Sequence, residues 1–145
     1  MVKMVVIARA DLKLRKGALS VQASHVSTLW FADRVREVIG RQDWQEAAQG
    51  VMVNLTNTTS SVVIRALVIS AEENEWLARP STIVMLRAET QEQFYRIHQQ
   101  LLDAGLGPQV HVWYEEDLGD NTCFAVGPID SDRIDPFTSH LKLFQ

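Results

Sequence analysis

Four short, almost wholly apolar runs constrain this chain most. They are residues 4–8 (Met-Val-Val-Ile-Ala), 83–86, 110–114 and 123–126. A strand covered on one face alternates apolar and polar residues, whereas one covered on both faces reads as a continuous apolar run. The four runs are therefore expected to be central strands of a sheet with helices on both faces. Between the first two, residues 18–39 carry Leu19, Ala23, Val26 and Trp30 at helical spacing, and Gly40 follows as a plausible stop. A second helix is expected over residues 91–104. Thr90 and Gln93 resemble a capping box at its start, Phe94, Ile97 and Leu101 form its apolar stripe, and Gly105 stands where a left-handed cap belongs. The order strand, helix, strand, helix, strand, strand is an α/β pattern.

Residues 43–80 are less determined. Segments 51–55 and 61–70 flank a Thr/Ser/Asn-rich stretch and fit either a hairpin or two helices joined by a loop. Residues 71–77 read as a short helix ended before Pro80.

The formal charge of −4 disfavours a protein that binds nucleic acid over its whole surface. Its distribution is uneven, however. Residues 1–25 hold Lys3, Arg9, Lys13, Arg15 and Lys16 against Asp11 alone, a net of +4, while residues 81–145 come to −6. A local basic site is thus allowed. The single cysteine, Cys123, permits no intramolecular disulfide and fits a reducing compartment, so a cytoplasmic location is expected. No apolar run approaches the ~20 residues of a membrane span, and residues 4–8 are too short for a signal-peptide core.

The chemistry concentrates after the first strand. A basic turn with a glycine, Lys13-Leu-Arg-Lys-Gly17, leads directly into a helix start. Helix N-termini present free N–H groups and a partial positive charge, so Lys13, Arg15 and Lys16 beside one would contact phosphates; a solvated charged loop is the plain alternative. At 100° per residue, Ala18, Gln22, His25 and Leu29 share a stripe at the edge of the buried face. Gln22 and His25 therefore meet above the basic turn, where they could hold a water and a carbonyl for ester hydrolysis, or simply bond to neighbouring backbone. His98, His111 and His140 form no metal-ligand spacing, so neither a metal nor a cofactor is expected. The acidic group Glu115-Glu116-Asp117 with Asp120 could supply a carboxylate to a site or be a solvated turn. Cys123 reads as a small core residue.

The N-terminal pattern from Lys3 through Gly17, with Gln22 and His25 following, resembles the archaeal/eukaryotic-type (type 2) peptidyl-tRNA hydrolase family. So do the C-terminal segments Ala-Val-Gly-Pro-Ile at 125–129 and Ser-His-Leu-Lys-Leu-Phe at 139–144. The resemblance covers residues 1–40 and 72–145, leaving 41–71 as an insertion in a single domain spanning 1–145. It implies a three-layer α/β/α fold with a four-stranded mixed central sheet, often dimeric. It also implies hydrolysis of the ester between a peptide and the 3′-terminal ribose of tRNA, with no cofactor. The family turn carries a Lys where this chain has Ala18, and the family's Asp-Ala-Gly-x-Thr-Gln loop is replaced by residues 113–122. Gly17-Ala18-Leu19 and the run from Trp113 to Asn121-Thr122-Cys123 are similar to the divergent peptidyl-tRNA hydrolase-domain-containing branch.

Two functions follow from the resemblance. In a working hydrolase, Gln22 and His25 would be catalytic, Lys16 would reach toward the place of the missing Lys, and Asp11 would orient Lys or His. Glu116 or Asp117 would replace the loop acid, and Gln22 would donate to the carbonyl or developing oxyanion. Lys13, Arg15 and Lys16 would hold phosphates of the tRNA acceptor end. Alternatively, the same scaffold would be a binding domain for tRNA ends or a protein partner.

Overall fold

The computed structural model describes residues 1–40, 70–79 and 82–144. Strands form at the four apolar runs: β1 (Val2–Arg9), β2 (Ile83–Ala88), β3 (Val110–Glu115) and β4 (Asp120–Asp130). The helices are α1 (Lys16–Gly40), α2 (Ala71–Ala78), α3 (Gln91–Asp103) and α4 (Ser131–Thr138). One mixed sheet runs in the order β3-β4-β1-β2-β5, where β5 is Lys142–Leu143. β1 and β2 are parallel, β4 is antiparallel to both β1 and β3, and β5 is antiparallel to β2.

The sheet therefore has five strands, not the four expected. The fifth is a two-residue edge strand, pairing Leu86 with Leu143 and Arg87 with Lys142, and both of its residues are exposed. An element this short, with neither face buried, leaves no apolar run and no alternation to read. Helix α4 is equally unannounced: its eight residues include Pro136 and bury only Ile134 and Thr138.

Side chains on successive strand residues point to opposite faces, and β1 divides accordingly. Met4, Val6 and Ala8 pack with Cys123 and Ala125 of β4 and with Leu19, Val26 and Trp30 of α1, and Trp76 of α2 joins them. Val5 and Ile7 pack with Phe124 and Val126, with Phe94, Ile97 and Leu101 of α3, and with Ile134 of α4. Helices thus cover both faces of the sheet, which is why the central runs carry almost no polar residue.

Helix α3 starts as its sequence proposes, with the Thr90 side chain accepting from Gln93 N at 3.1 Å. The return bond differs by one residue from a capping box, because Gln93 Oε1 accepts from Glu89 N at 2.7 Å. At its end Gly105 takes φ +76°, and Leu106 N donates to Leu101 O while Gly105 N donates to Leu102 O, both at 3.0 Å. This is the Schellman pairing, which needs a left-handed residue that glycine adopts without a Cβ penalty.

Met1–Trp30 together with Ala71–Gln145 form one compact unit, which holds the sheet, and Phe31–Ser70 form another. The insertion expected at 41–71, with its hairpin or helix pair, lies outside the described residues except for Ser70 and Ala71. Among the described residues, no helix is long and apolar enough to cross a membrane.

Chain direction decides where function can sit. Because β4 runs against β1 and β3, the register pairs Ala8 with Cys123 and Glu115 with Asp120. The carboxyl ends of β1 and β3, the amino end of β4 and the first turn of α1 therefore share one end of the sheet. The carboxyl ends of strands are where open α/β sheets most often bind ligands.

Candidate functional site

The turn after β1 is held from inside by Arg9, the last residue of that strand, which is only 4 % exposed. Its guanidinium donates to both carboxylate oxygens of Asp11, at 3.1 and 2.6 Å. It also donates to Asp120 Oδ2 at 2.6 Å and to the Asn121 carbonyl at 3.4 Å. Tyr95 of α3 donates its hydroxyl to the other Asp120 oxygen at 2.7 Å. The bonds to Asp11, and after them those to Asp120, hold Arg9 above its ordinary pKa even though burial works against its charge. Asp120 is correspondingly held below the usual carboxylate range, first by Tyr95 and then by Arg9. Tyr95 is pushed up by burial and by its bond to Asp120. Asp11 is thus engaged with Arg9, and its hydrogen bonds do not reach Lys16 or His25.

With Asp11 so fixed, the turn alternates. Leu12 and Leu14 are half-buried, Leu14 against the core, while Lys13, Arg15 and Lys16 are exposed. Lys13 takes φ +50°, a left-handed conformation uncommon outside glycine, asparagine and aspartate. Leu19 N donates to Arg15 O at 3.0 Å, the first bond of α1. Among the described residues, no ion pair engages Lys13, Arg15 or Lys16. The alternation presents three cations beside a helix N-terminus, where free N–H groups add to the positive field.

The helix then carries Gln22 and His25 to the same corner with different exposure. Gln22 is 5 % exposed, whereas His25 faces solvent. Gln22 Nε2 donates to Glu115 Oε2 at 3.1 Å, and Trp113 Nε1 donates to that same oxygen at 3.3 Å. The imidazole of His25 lies flat on the Trp113 ring, with centroids 4.7 Å apart and planes 8° from parallel. A carboxylate can only accept, so Gln22 must turn its NH2 toward Glu115 and its carbonyl away. That carbonyl oxygen, Gln22 Oε1, is buried and makes no hydrogen bond.

The sequence offers Glu115 only as one of four acids that could supply a carboxylate to a site, and does not place it or Trp113 against Gln22 and His25, although a signal is present. They are two apart at the end of β3 and so share one face of the sheet. The acids favoured as loop replacements, Glu116 and Asp117, are both exposed in the β3–β4 turn. In that turn Gly119 takes φ +63° and its N–H donates to Glu115 O at 2.9 Å. One of the two Gln22 N–H groups is bonded to Glu115, so the expectation that Gln22 donates to substrate rests on the other. Cys123 is buried with its thiol pushed up to about 12, chiefly by burial, so no thiolate nucleophile forms at neutral pH. Among the described residues, no group of three or more His, Cys, Asp or Glu side chains could hold a metal ion.

Comparison with known proteins matches this sequence to a family. The family model described as Peptidyl-tRNA hydrolase PTH2 matches residues 2–144. A protein named peptidyl-tRNA hydrolase from Saccharolobus islandicus is 25% identical over 148 residues, with 99% of each chain covered. Proteins of the same name from Methanothermobacter thermautotrophicus and Methanopyrus kandleri are each 26% identical. The first alignment covers 97% of this chain and 98% of its relative, and the second covers 100% of both.

Proposed function

Because the chain belongs to the peptidyl-tRNA hydrolase PTH2 family, we propose that this peptidyl-tRNA hydrolase-like protein cleaves the ester between a peptide and the 3′-terminal ribose of tRNA, at the corner formed by Gln22 and His25. The observation that carries the proposal is the juxtaposition of that corner with the free basic turn. Lys13, Arg15 and Lys16 take phosphates of the acceptor end and place the terminal ester over the start of α1. His25, exposed and stacked on Trp113, accepts a proton from water as general base. Water oxygen bonds to the ester carbonyl carbon, and Lys16 faces the oxyanion that develops. The ester C–O bond then breaks, the ribose oxygen regains a proton, and the peptide leaves as a carboxylate. Asp11 acts one step back, fixed by Arg9 so that the cationic turn keeps its shape.

A test is hydrolysis of an N-blocked aminoacyl-tRNA, followed for the wild type and for His25→Ala. The wild type is expected to release the blocked amino acid, and His25→Ala to lose about 100-fold or more in kcat, the usual worth of a positioned general base. An ester left intact by concentrated wild-type protein would overturn the proposal.

One observation favours a second function, a binding domain for tRNA ends: Ala18 stands exposed at the helix start, where the family turn carries a Lys. Both readings require phosphate contacts. In each, replacing Lys13, Arg15 and Lys16 by Ala should weaken tRNA binding and reduce the slope of log affinity against log salt by about 2, since each neutralised phosphate contributes about 0.7–0.9. An unchanged slope would remove the basic turn from the interface.

A further inference from the structure

We infer that Glu115 is the positioning residue of this site: by binding Gln22 and Trp113 through one carboxylate oxygen, it fixes the orientation of the Gln22 amide and of the indole on which His25 lies. The inference rests on the hydrolase reading above and adds a residue and a polarity to it.

The geometry leaves little freedom. The two faces of a glutamine amide are nearly equal in shape and opposite in hydrogen bonding. An unanchored Gln22 would offer NH2 or C=O to the site with similar ease. Glu115 Oε2 removes that choice, because an ionised carboxylate takes the NH2 and repels the carbonyl. The result is a buried acceptor, Gln22 Oε1, with no partner in the protein. Buried polar atoms are seldom left so, which marks the orientation that Glu115 imposes on Gln22 as one held at a cost.

The same oxygen extends to His25. Trp113 Nε1 also donates to Oε2, which fixes the rotation of the indole, and the imidazole lies parallel on that indole. Gln22 and His25 are three residues apart on α1, one turn of the helix, so the two side chains are neighbours on its surface. A single carboxylate thus orients the acceptor directly and the base through a ring. Its partners lie in α1 and β3, so this arrangement exists only once the sheet and helix have docked.

A residue that acts through Gln22 leaves a particular kinetic signature. In the wild-type background, Glu115→Ala is expected to lower kcat about 10-fold or more, the worth of a hydrogen bond to a charged group, and to leave KM within about twofold. Glu115→Gln keeps the shape and one acceptor oxygen and should recover part of that loss. In a Gln22→Ala background, Glu115→Ala should cost no more than about threefold, because its main client is gone. An equal loss in both backgrounds, or a loss confined to KM, would overturn the inference. A second readout does not depend on turnover. The Gln22 side-chain NH2, followed by NMR, should be slowed in hydrogen exchange in the wild type, slowed less in Glu115→Gln and released in Glu115→Ala. A wild-type Gln22 amide exchanging as fast as a solvent-exposed glutamine would refute the Glu115 anchor even if the protein hydrolyses its ester. Protection without hydrolysis would keep the anchor and remove the hydrolase reading instead.

Discussion

Two polar clusters sit at the same end of the sheet and are built to opposite rules. Around Arg9 the guanidinium is spread over Asp11, Asp120 and the Asn121 carbonyl, and Tyr95 covers the remaining Asp120 oxygen. Around Glu115 one oxygen takes both donors, and Gln22 is left with a buried acceptor that nothing in the protein satisfies. A satisfied cluster ties elements together: here the turn after β1, the start of β4 and helix α3. An unsatisfied one is poorly suited to that task. On the proposed function, the first cluster serves stability and the second chemistry.

The comparison breaks most visibly at Arg9. Arg9→Met removes the buried cation and leaves Asp11 and Asp120 without their shared partner. Loss of one partner from a buried ion pair costs about 3–5 kcal/mol, and the low end is expected because each carboxylate keeps about 30 % of its surface in solvent. Urea denaturation should place the loss near 3 kcal/mol, with the rate per folded molecule reduced far less than by His25→Ala. A change below about 0.5 kcal/mol would mean the cluster does not hold the turn.

Gln22 sharpens the contrast from the other side. Gln22→Leu deletes the orphan carbonyl and fills the space with apolar atoms, while Glu115 keeps the Trp113 N–H and its access to water. Stability should stay within about 1 kcal/mol of the wild type, since removing an unsatisfied polar group offsets the lost bond. Turnover should fall about 10-fold or more, because the polar side chain that Glu115 positions is gone from the corner. A stability loss above about 3 kcal/mol with unchanged turnover would reverse the roles assigned to the two clusters.

Acid should weaken the Arg9 cluster. Asp120 has a folded pKa depressed by Tyr95 and then Arg9. Its contribution is present above the unfolded value near 3.9 and is lost as pH falls through the lower folded value. Denaturant midpoints measured downward from about pH 5 should therefore drop more steeply for the wild type than for Asp120→Asn. Parallel curves would remove Asp120 from the linkage. The smallest effect is expected from Tyr95→Phe, which deletes one hydroxyl donor and should cost about 1 kcal/mol with no change in the tRNA salt slope.

What the sequence revealed followed from local periodicity. Residues 4–8 and 123–126 read as doubly covered strands because their neighbours on both faces are apolar, and they pair at the centre of the sheet. Thr90 and Gly105 marked the ends of α3 because caps are chemistry within a few residues. The helical wheel also placed Gln22 and His25 at one edge of the buried face. That edge is why the first proves buried and the second exposed.

What stayed hidden was long-range or featureless. Glu115 reaches Gln22 across 93 positions of sequence, and no spacing rule connects the end of β3 to the second turn of α1. Strand alternation puts Trp113 and Glu115 on one face, but only the docked sheet shows that this face meets the helix. Arg9 read as one more residue of a basic segment, yet the fold turns it inward to two aspartates. Strand β5 had too few residues to carry any pattern.

The central claim is that stability and catalysis separate between these two clusters. It is tested most directly by measuring Tm and kcat on N-blocked aminoacyl-tRNA for His25→Ala and Arg9→Met in parallel, below both transitions. His25→Ala is predicted to keep the wild-type Tm and lose about 100-fold in kcat, and Arg9→Met to lose Tm by many degrees with a far smaller change in kcat. Both variants falling together in Tm and kcat, or His25→Ala turning over at the wild-type rate, would contradict it.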